Sequence, residues 1–158
     1  VLFRSIGDRA FHQQALELLR GAGREVCQRL YLEITETVAV TNMGDAARFI
    51  DQVRTLGVRV ALDDFGAGAS SFGYLKSLAI DCIKIDGQFI RDLVTDPLDE
   101  AAVRCFVDVA KVLAVRTVAE FVDRPEVLEK VRQLGIDFAQ GYLLHRPEPL
   151  RALLDGVA

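Results

Sequence analysis

The stretch "VRVALDDFGAG", residues 58–68, begins as a strand and ends as a loop. Its first half is apolar and rich in β-branched residues, and glycines follow at Gly66 and Gly68. Between them stand two adjacent aspartates, Asp63 and Asp64. Two carboxylates ~5 Å apart repel by roughly 3 kcal/mol at an effective dielectric of ~20. A pair kept at a strand end therefore implies something there that offsets the charge.

On either side the pattern repeats. Short apolar strands are predicted at "RLYLEIT" (29–35), "DCIKID" (81–86), "RTVAE" (116–120) and "DFAQGY" (137–142). Helical periodicity separates them. It covers 45–56, with Ala46, Phe49, Ile50, Val53 and Leu56 on one face, and 99–113, with Ala102, Val103, Phe106, Ala110 and Leu113. A third helix over 125–134 opens on Pro125 and places Val127, Leu128, Val131 and Leu134 inward. A shorter helix is predicted over 69–79, capped by Ser70 or Ser71, and "IGDRAFHQQALELLRGAG" reads as a leading helix. Strand–helix alternation with few hairpin signals means parallel βα units, hence an open doubly wound sheet or a closed barrel. About five units are visible, whereas a closed (β/α)8 barrel needs about 250 residues.

At 158 residues and 51% hydrophobic, the chain can bury one core. A net charge of −4 without a Lys/Arg block argues against electrostatic capture of DNA or RNA. No apolar run is long enough for a membrane span. Cys27, Cys82 and Cys105 are scattered, and read as reduced core thiols of a cytoplasmic protein. With only His12 and His145, any metal site must be built from oxygens.

The strands also share acidic or amide ends: Glu33 and Glu36, Asp63 and Asp64, Lys84 and Asp86, Glu120, and Gln140. Strand parity puts Lys84 and Asp86 on one face, Val118 with Glu120, and Phe138 with Gln140 and Tyr142. One face thus turns polar only at the carboxyl ends, where parallel α/β proteins bind ligands. Each group alone is compatible with helix capping or a solvated turn, and Lys84 with snorkelling. Converging together, the carboxylates need cations or Lys84 to neutralise them, and oxygen-only ligation suits Mg²⁺ or Mn²⁺. A metal-dependent phosphodiesterase, a phosphoacceptor receiver and a pure binding module all use such a rim. The receiver places its lysine after its acids, against the order here.

As a set, "LEITET", "ALDDFGAGASSFGYLK", "IKID", "TVAEFVD" and "DFAQGYLLHRPEPL" resemble the EAL-domain cyclic di-GMP phosphodiesterases over residues 7–152. The spacings fit that pattern: 30 residues from Glu33 to Asp63, 21 to Lys84, 36 to Glu120 and 20 to Gln140. The resemblance implies a TIM-type (β/α) barrel and a site with two Mg²⁺ or Mn²⁺ ions that hydrolyses cyclic di-GMP to linear pGpG. By position it implies that Glu33 and Asp63 hold one ion and Asp64 the second, with Glu120 a further metal- or water-binding carboxylate. Lys84 would hold the attacking water, Glu36 would anchor the loop after "DDFG", and Asp86 and Gln140 would complete the surrounding network. It also implies a homodimer in the intact protein, with sensor, receiver or GGDEF domains upstream, through which the parent could be membrane-anchored. A non-catalytic, cyclic di-GMP-binding sensor is the alternative.

The Glu-Ala-Leu motif and the Asn-x-Ser asparagine of that family would lie before residue 6. Leu-Phe-Arg-Ser, residues 2–5, is also one reading frame of CTCTTCCGATCT, a common sequencing-adaptor end. Residues 1–5 are therefore expected to be a non-native start, and 6–158 the carboxyl-terminal part of one EAL domain. Such a chain alone is expected to be inactive and prone to aggregate through open sheet edges. Phe121 stands where many relatives have glycine, and Asp123 where glutamate is common.

Overall fold

The computed structural model describes residues 6–68, 72–149 and 151; residues 1–5, and Ser70 and Ser71 as possible caps, lie outside them. The chain runs α1 (Arg9–Ala22), α2 (Arg24–Cys27), β1 (Tyr31–Thr35), α3 (Glu36–Thr41), α4 (Met43–Thr55) and β2 (Arg59–Phe65). A 3₁₀ turn (Gly73–Ser77), β3 (Cys82–Ile85), α5 (Gly87–Arg91), α6 (Pro97–Leu113), β4 (Arg116–Ala119), α7 (Pro125–Gln133) and β5 (Phe138–Ala139) follow. All strand pairs are parallel, and their order in the sheet is β1-β2-β3-β4-β5. That sequential order is the winding of a TIM-type barrel. A doubly wound sheet would reverse direction at a switch point.

Burial follows strand parity. Ile34, Val60, Leu62, Ile83, Ile85 and Ala119 are buried under the helices. There they meet Phe49, Ile50 and Val53 of α4, Val103, Phe106 and Ala110 of α6, and Val127 and Val131 of α7. Asp8 caps α1 by accepting from Ala10 N at 2.8 Å. Asp96 caps α6 through Leu98 N at 2.8 Å, just before Pro97.

Four expectations need correction. The predicted helix over 69–79 falls partly on residues 69–71, outside the described residues, and from residue 72 onward it is a 3₁₀ turn, Gly73–Ser77. The predicted fifth strand, 137–142, spans only Phe138–Ala139. At Gly141 the chain lies too close to the Val122 backbone to admit a side chain, and Tyr142 already lies in the turn that follows. The barrel-facing side is polar at the amino ends too, where Tyr31, Arg59 and Arg116 open β1, β2 and β4. Finally, Cys27 and Cys82 are buried but Cys105 is exposed, because it lies on the outer surface of α6.

Burial pushes the Cys82 thiol up from its ordinary 9.0 to about 11. The folded state thus holds that proton more tightly, and this contribution to stability is lost as pH rises from 9 towards 11. Iodoacetamide at pH 8 should therefore alkylate one thiol per native chain, at Cys105, and all three after denaturation. Peptide mass spectrometry reads the sites.

Gly66 leaves β2 at φ +96°, and a Cβ there would stand 2.7 Å from the Phe89 ring and 2.8 Å from that of Phe106. Those rings pack edge to face at 5.2 Å, and Phe65 meets Phe106 at 5.1 Å. Gly66→Ala combines a left-handed backbone with overpacking of this cluster, and should cost about 2–4 kcal/mol. Urea denaturation would show it as a lower midpoint with an unchanged slope.

Candidate active site at the carboxyl rim

Lys84 is the centre of the rim. It lies on β3 between Ile83 and Ile85, which face the helices, so its own side chain points to the barrel side, and it is only 5% exposed. Its Nζ reaches Glu33 Oε2 of β1 at 2.9 Å, Asp63 Oδ1 of β2 at 2.8 Å, and Glu120 Oε1, just past β4, at 2.8 Å. Three carboxylates use all three ammonium donors. The register Glu33↔Ala61 and Thr35↔Asp63 sets Glu33 below Asp63, so both reach the same ammonium. Snorkelling is thereby excluded for Lys84.

One ammonium does not balance the charge. Asp64 adds a fourth carboxylate, and oxygens of Asp63, Asp64 and Glu120 lie within 4.8 Å of one another. Asp64 sits in the left-handed region at φ +54°, a conformation that aspartate tolerates better than most residues. Burial, then the charges of Asp63 and Asp86, raises the Asp64 pKa. Burial, with the charges of Asp63 and Asp64, also raises the Glu120 pKa against the pull of Lys84. For Lys84, burial alone would lower the pKa; hydrogen bonds to Asp63, Glu120 and Glu33 reverse that and leave it raised. Carboxylate oxygens held this close in net negative excess are a hard-donor set suited to divalent cations.

Glu36, the first residue of α3, is 1% exposed. Its Oε2 accepts from Gly66 N at 3.0 Å and Gly68 N at 3.3 Å, and its Oε1 from Tyr74 Oη at 2.5 Å. This carboxylate ties the loop after the aspartates to the start of α3 and to the 3₁₀ turn. Burial, then Glu36, raises the Tyr74 hydroxyl well above the usual phenol range, so it donates. Sequence reading passed over Tyr74, since a predicted helix at 69–79 gave its hydroxyl no target. Its only signal was a tyrosine ten residues after Asp64.

The remaining two groups are spent differently. Asp86 caps α5, its carboxylate accepting from Gln88 N at 2.7 Å, and reaches the rim only through its charge on Asp64. Gln140 extends the sheet with its backbone, donating to Ala119 O at 2.8 Å and accepting from Val122 N at 3.0 Å. Its side chain lines a cleft of about 280 Å³ with Glu120, Arg91, Phe121 and Tyr142. Phe121 has φ +55°, which is why glycine suits this position, and its ring lies over Gly87.

The sequence model of the EAL domain family matches residues 2–147. The cyclic di-GMP phosphodiesterase PdeB of Shewanella oneidensis is 44% identical over 123 residues, which are 78% of this chain and 14% of that protein. The cyclic di-GMP phosphodiesterase NbdA of Pseudomonas aeruginosa is 34% identical over 149 residues, 94% of this chain and 19% of that protein. Among solved structures, the phosphodiesterase PaMucR in complex with c-di-GMP superposes with a TM-score of 0.87 at 32% identity, over 97% of this chain and 62% of that one. The EAL domain of FimX from Pseudomonas aeruginosa, bound to c-di-GMP, gives a TM-score of 0.81 at 25% identity, over 94% of this chain and 60% of that one. The chain thus spans less than a fifth of these curated relatives and about three fifths of these solved chains.

Proposed function

This chain belongs to the EAL domain family, and from that membership we propose that it provides most of the rim of a metal-dependent phosphodiesterase that hydrolyses cyclic di-GMP to linear pGpG. The observation that carries the reading is Lys84 bound to Glu33, Asp63 and Glu120 beside Asp64, with one positive charge for four negative ones. In this reading the site takes two Mg²⁺ or Mn²⁺ ions. Glu33 and Asp63 serve the first, Asp64 the second, and Glu120 lies within ligand distance of the aspartates. When bound, the ions supply Lewis acidity and compensate phosphate charge.

The side chains have separate tasks. Lys84, fixed by three carboxylates, orients the attacking water and steadies the negative charge that develops on the phosphodiester. Glu120, its pKa raised by burial, is poised to take a proton from that water. Glu36 and Tyr74 hold the loop after Asp64 in place, while Asp86 and Gln140 border the water network. The same reading places the reaction in the cytoplasm of a bacterial signalling protein, as a homodimer fused to upstream sensor, receiver or GGDEF domains. One relative, MucR of Pseudomonas aeruginosa, is named a bifunctional diguanylate cyclase/cyclic di-GMP phosphodiesterase, in line with such fusion. No described helix is long and apolar enough to cross a membrane.

The test is to incubate the intact domain with cyclic di-GMP and Mn²⁺ and to separate the nucleotides. Appearance of pGpG that stops on chelation supports hydrolysis. Tight binding with the cyclic dinucleotide unchanged overturns it in favour of a sensor, and absence of binding overturns both.

A further inference from the structure

The barrel-facing side carries a second cluster, at the opposite end of the strands. Tyr31 and Arg59 are register partners at the start of β1 and β2, and Arg116 opens β4 beside the small Cys82. Arg59 Nη1 donates to Tyr31 Oη at 3.1 Å and Arg116 Nη2 to the same oxygen at 2.6 Å. Arg59 also lies over the Tyr31 ring, 4.6 Å from its centroid, and Arg116 over that of Phe138 at 5.2 Å. Two guanidiniums thus converge on one neutral oxygen.

Neither guanidinium pairs with a carboxylate among the described residues; the other acceptor is Gln28 O, at 2.9 Å from Arg59 Nη2. The acids nearest in sequence are engaged elsewhere. Asp81 holds Arg54 and accepts from Val60 N, and Asp137 accepts from Thr117 N and Oγ1. Two unit charges ~5 Å apart repel by roughly 3 kcal/mol at an effective dielectric of ~20, and cation–π contacts offset only part of that. The cluster is also one-sided in its chemistry. Arginine has donors and no acceptor, and a phenol oxygen that accepts two N–H groups still has its own proton to give. Tyr31 and Arg116 are exposed and Arg59 is half-buried, so the donors are reachable from solvent.

We propose that Tyr31, Arg59 and Arg116 form an anion-binding site at the amino-terminal mouth of the sheet, taking a tetrahedral oxyanion of the phosphate class. A dianion with several acceptor oxygens matches two forked guanidiniums and a phenol better than a halide or a single carboxylate does. Each strand that contributes a carboxylate to Lys84 also contributes one residue here: Tyr31 with Glu33, Arg59 with Asp63, and Arg116 with Glu120. At about 3.3 Å per residue, Arg59 lies ~13 Å from Asp63 along β2, so this site is separate from the catalytic rim and does not depend on its chemistry. A bound anion would pin those three strands together from below.

Isothermal titration of the intact domain in chelator, with sodium phosphate against sodium chloride at equal ionic strength, tests this. Saturable phosphate binding is expected, weakened at least about tenfold by Arg59→Gln or Arg116→Gln and several-fold by Tyr31→Phe, which keeps the ring and removes only the hydroxyl. In the unsubstituted intact domain, phosphate should also shift the Arg59 and Arg116 Nε–H resonances, a readout that needs no variant to fold. A GMP arm separates the sources: equal affinity points to free phosphate, tighter binding to a nucleotide phosphomonoester. Absence of saturable binding up to 10 mM (roughly −2.7 kcal/mol by RT ln Kd), or undiminished binding in the Arg59→Gln/Arg116→Gln double variant, overturns the proposal.

Discussion

Lys84→Met should lower hydrolysis of cyclic di-GMP by the intact domain roughly a thousandfold, with binding of the nucleotide much less affected. The ammonium is held by three carboxylates at 2.8–2.9 Å, so it does not need to reorganise as charge develops on the phosphodiester. Removing one such preorganised group typically costs 10²–10³ in turnover. The loss should lie in kcat rather than in KM, because the group acts on charge that appears only in the transition state. Asp63→Asn should act in the same direction, since it weakens both the hold on Lys84 and the acidic set around it. Near-normal turnover in either variant would overturn the assignment.

The same substitution has a signature in stability. Methionine fills the volume of lysine but leaves Glu33, Asp63 and Glu120 facing one another without their shared cation. Breaking a buried ion pair costs ~3–5 kcal/mol; with the Glu33 side chain 48% exposed, about 2–3 kcal/mol is the better expectation here. Mn²⁺ should restore part of the loss in Lys84→Met, because carboxylates freed from the ammonium gain most from a metal. The pH sign is fixed by the raised lysine pKa. The contribution is complete below the ordinary value of 10.5 and fades only as pH climbs beyond it. Thermal melts with and without chelator, from pH 7 to 11, measure all of this.

Glu36→Ala should be the most damaging single change to the fold near the site, by about 3–5 kcal/mol. The carboxylate is 1% exposed and accepts three hydrogen bonds. Truncation leaves two backbone N–H groups and a phenol without an acceptor, each costing ~1–3 kcal/mol where water cannot reach. Two milder variants divide the effect. Glu36→Gln keeps an acceptor for the glycine amides while Tyr74 turns to accept, and should cost about 1–2 kcal/mol. Tyr74→Phe leaves one lone pair unused and should cost about 1 kcal/mol. Urea denaturation ranks them; an order other than Ala worst and Phe mildest would mean that the loop is held by something else. Because the loop carries Asp64 at φ +54°, Glu36→Ala should also weaken Mn²⁺ binding in the intact domain.

Much of the fold was legible because strand and helix periodicity is local. Amphipathic stripes such as Ala46-Phe49-Ile50-Val53 can only make a helix with one buried face, and all four residues are buried in α4. The errors arose where tertiary contacts overrule local preference. The residues after Gly68 carry a helical pattern, yet Tyr74 is drawn to Glu36 and the turn closes as 3₁₀. The fifth strand stops at Ala139 because the chain must pass within backbone contact of Val122 at Gly141. Parity located the acids but overlooked the arginines at the other end, since a single arginine at a strand start is unremarkable until two meet on one tyrosine.

By itself the sequence determined the parallel βα alternation, the family, and the set of carboxylates and the lysine at the carboxyl ends, all carried by spacing along the chain. The tertiary structure alone decided which of them meet. It gathered Glu33, Asp63 and Glu120 from three strands onto Lys84, and set Asp64 beside them. It turned Asp86 into a helix cap and made Glu36 the clasp of the loop. The repulsion between Asp63 and Asp64 marks the position along the chain, but its compensation comes from Lys84 on the next strand, 21 residues further on. Electrostatic energy falls with distance through space, and only folding sets that distance.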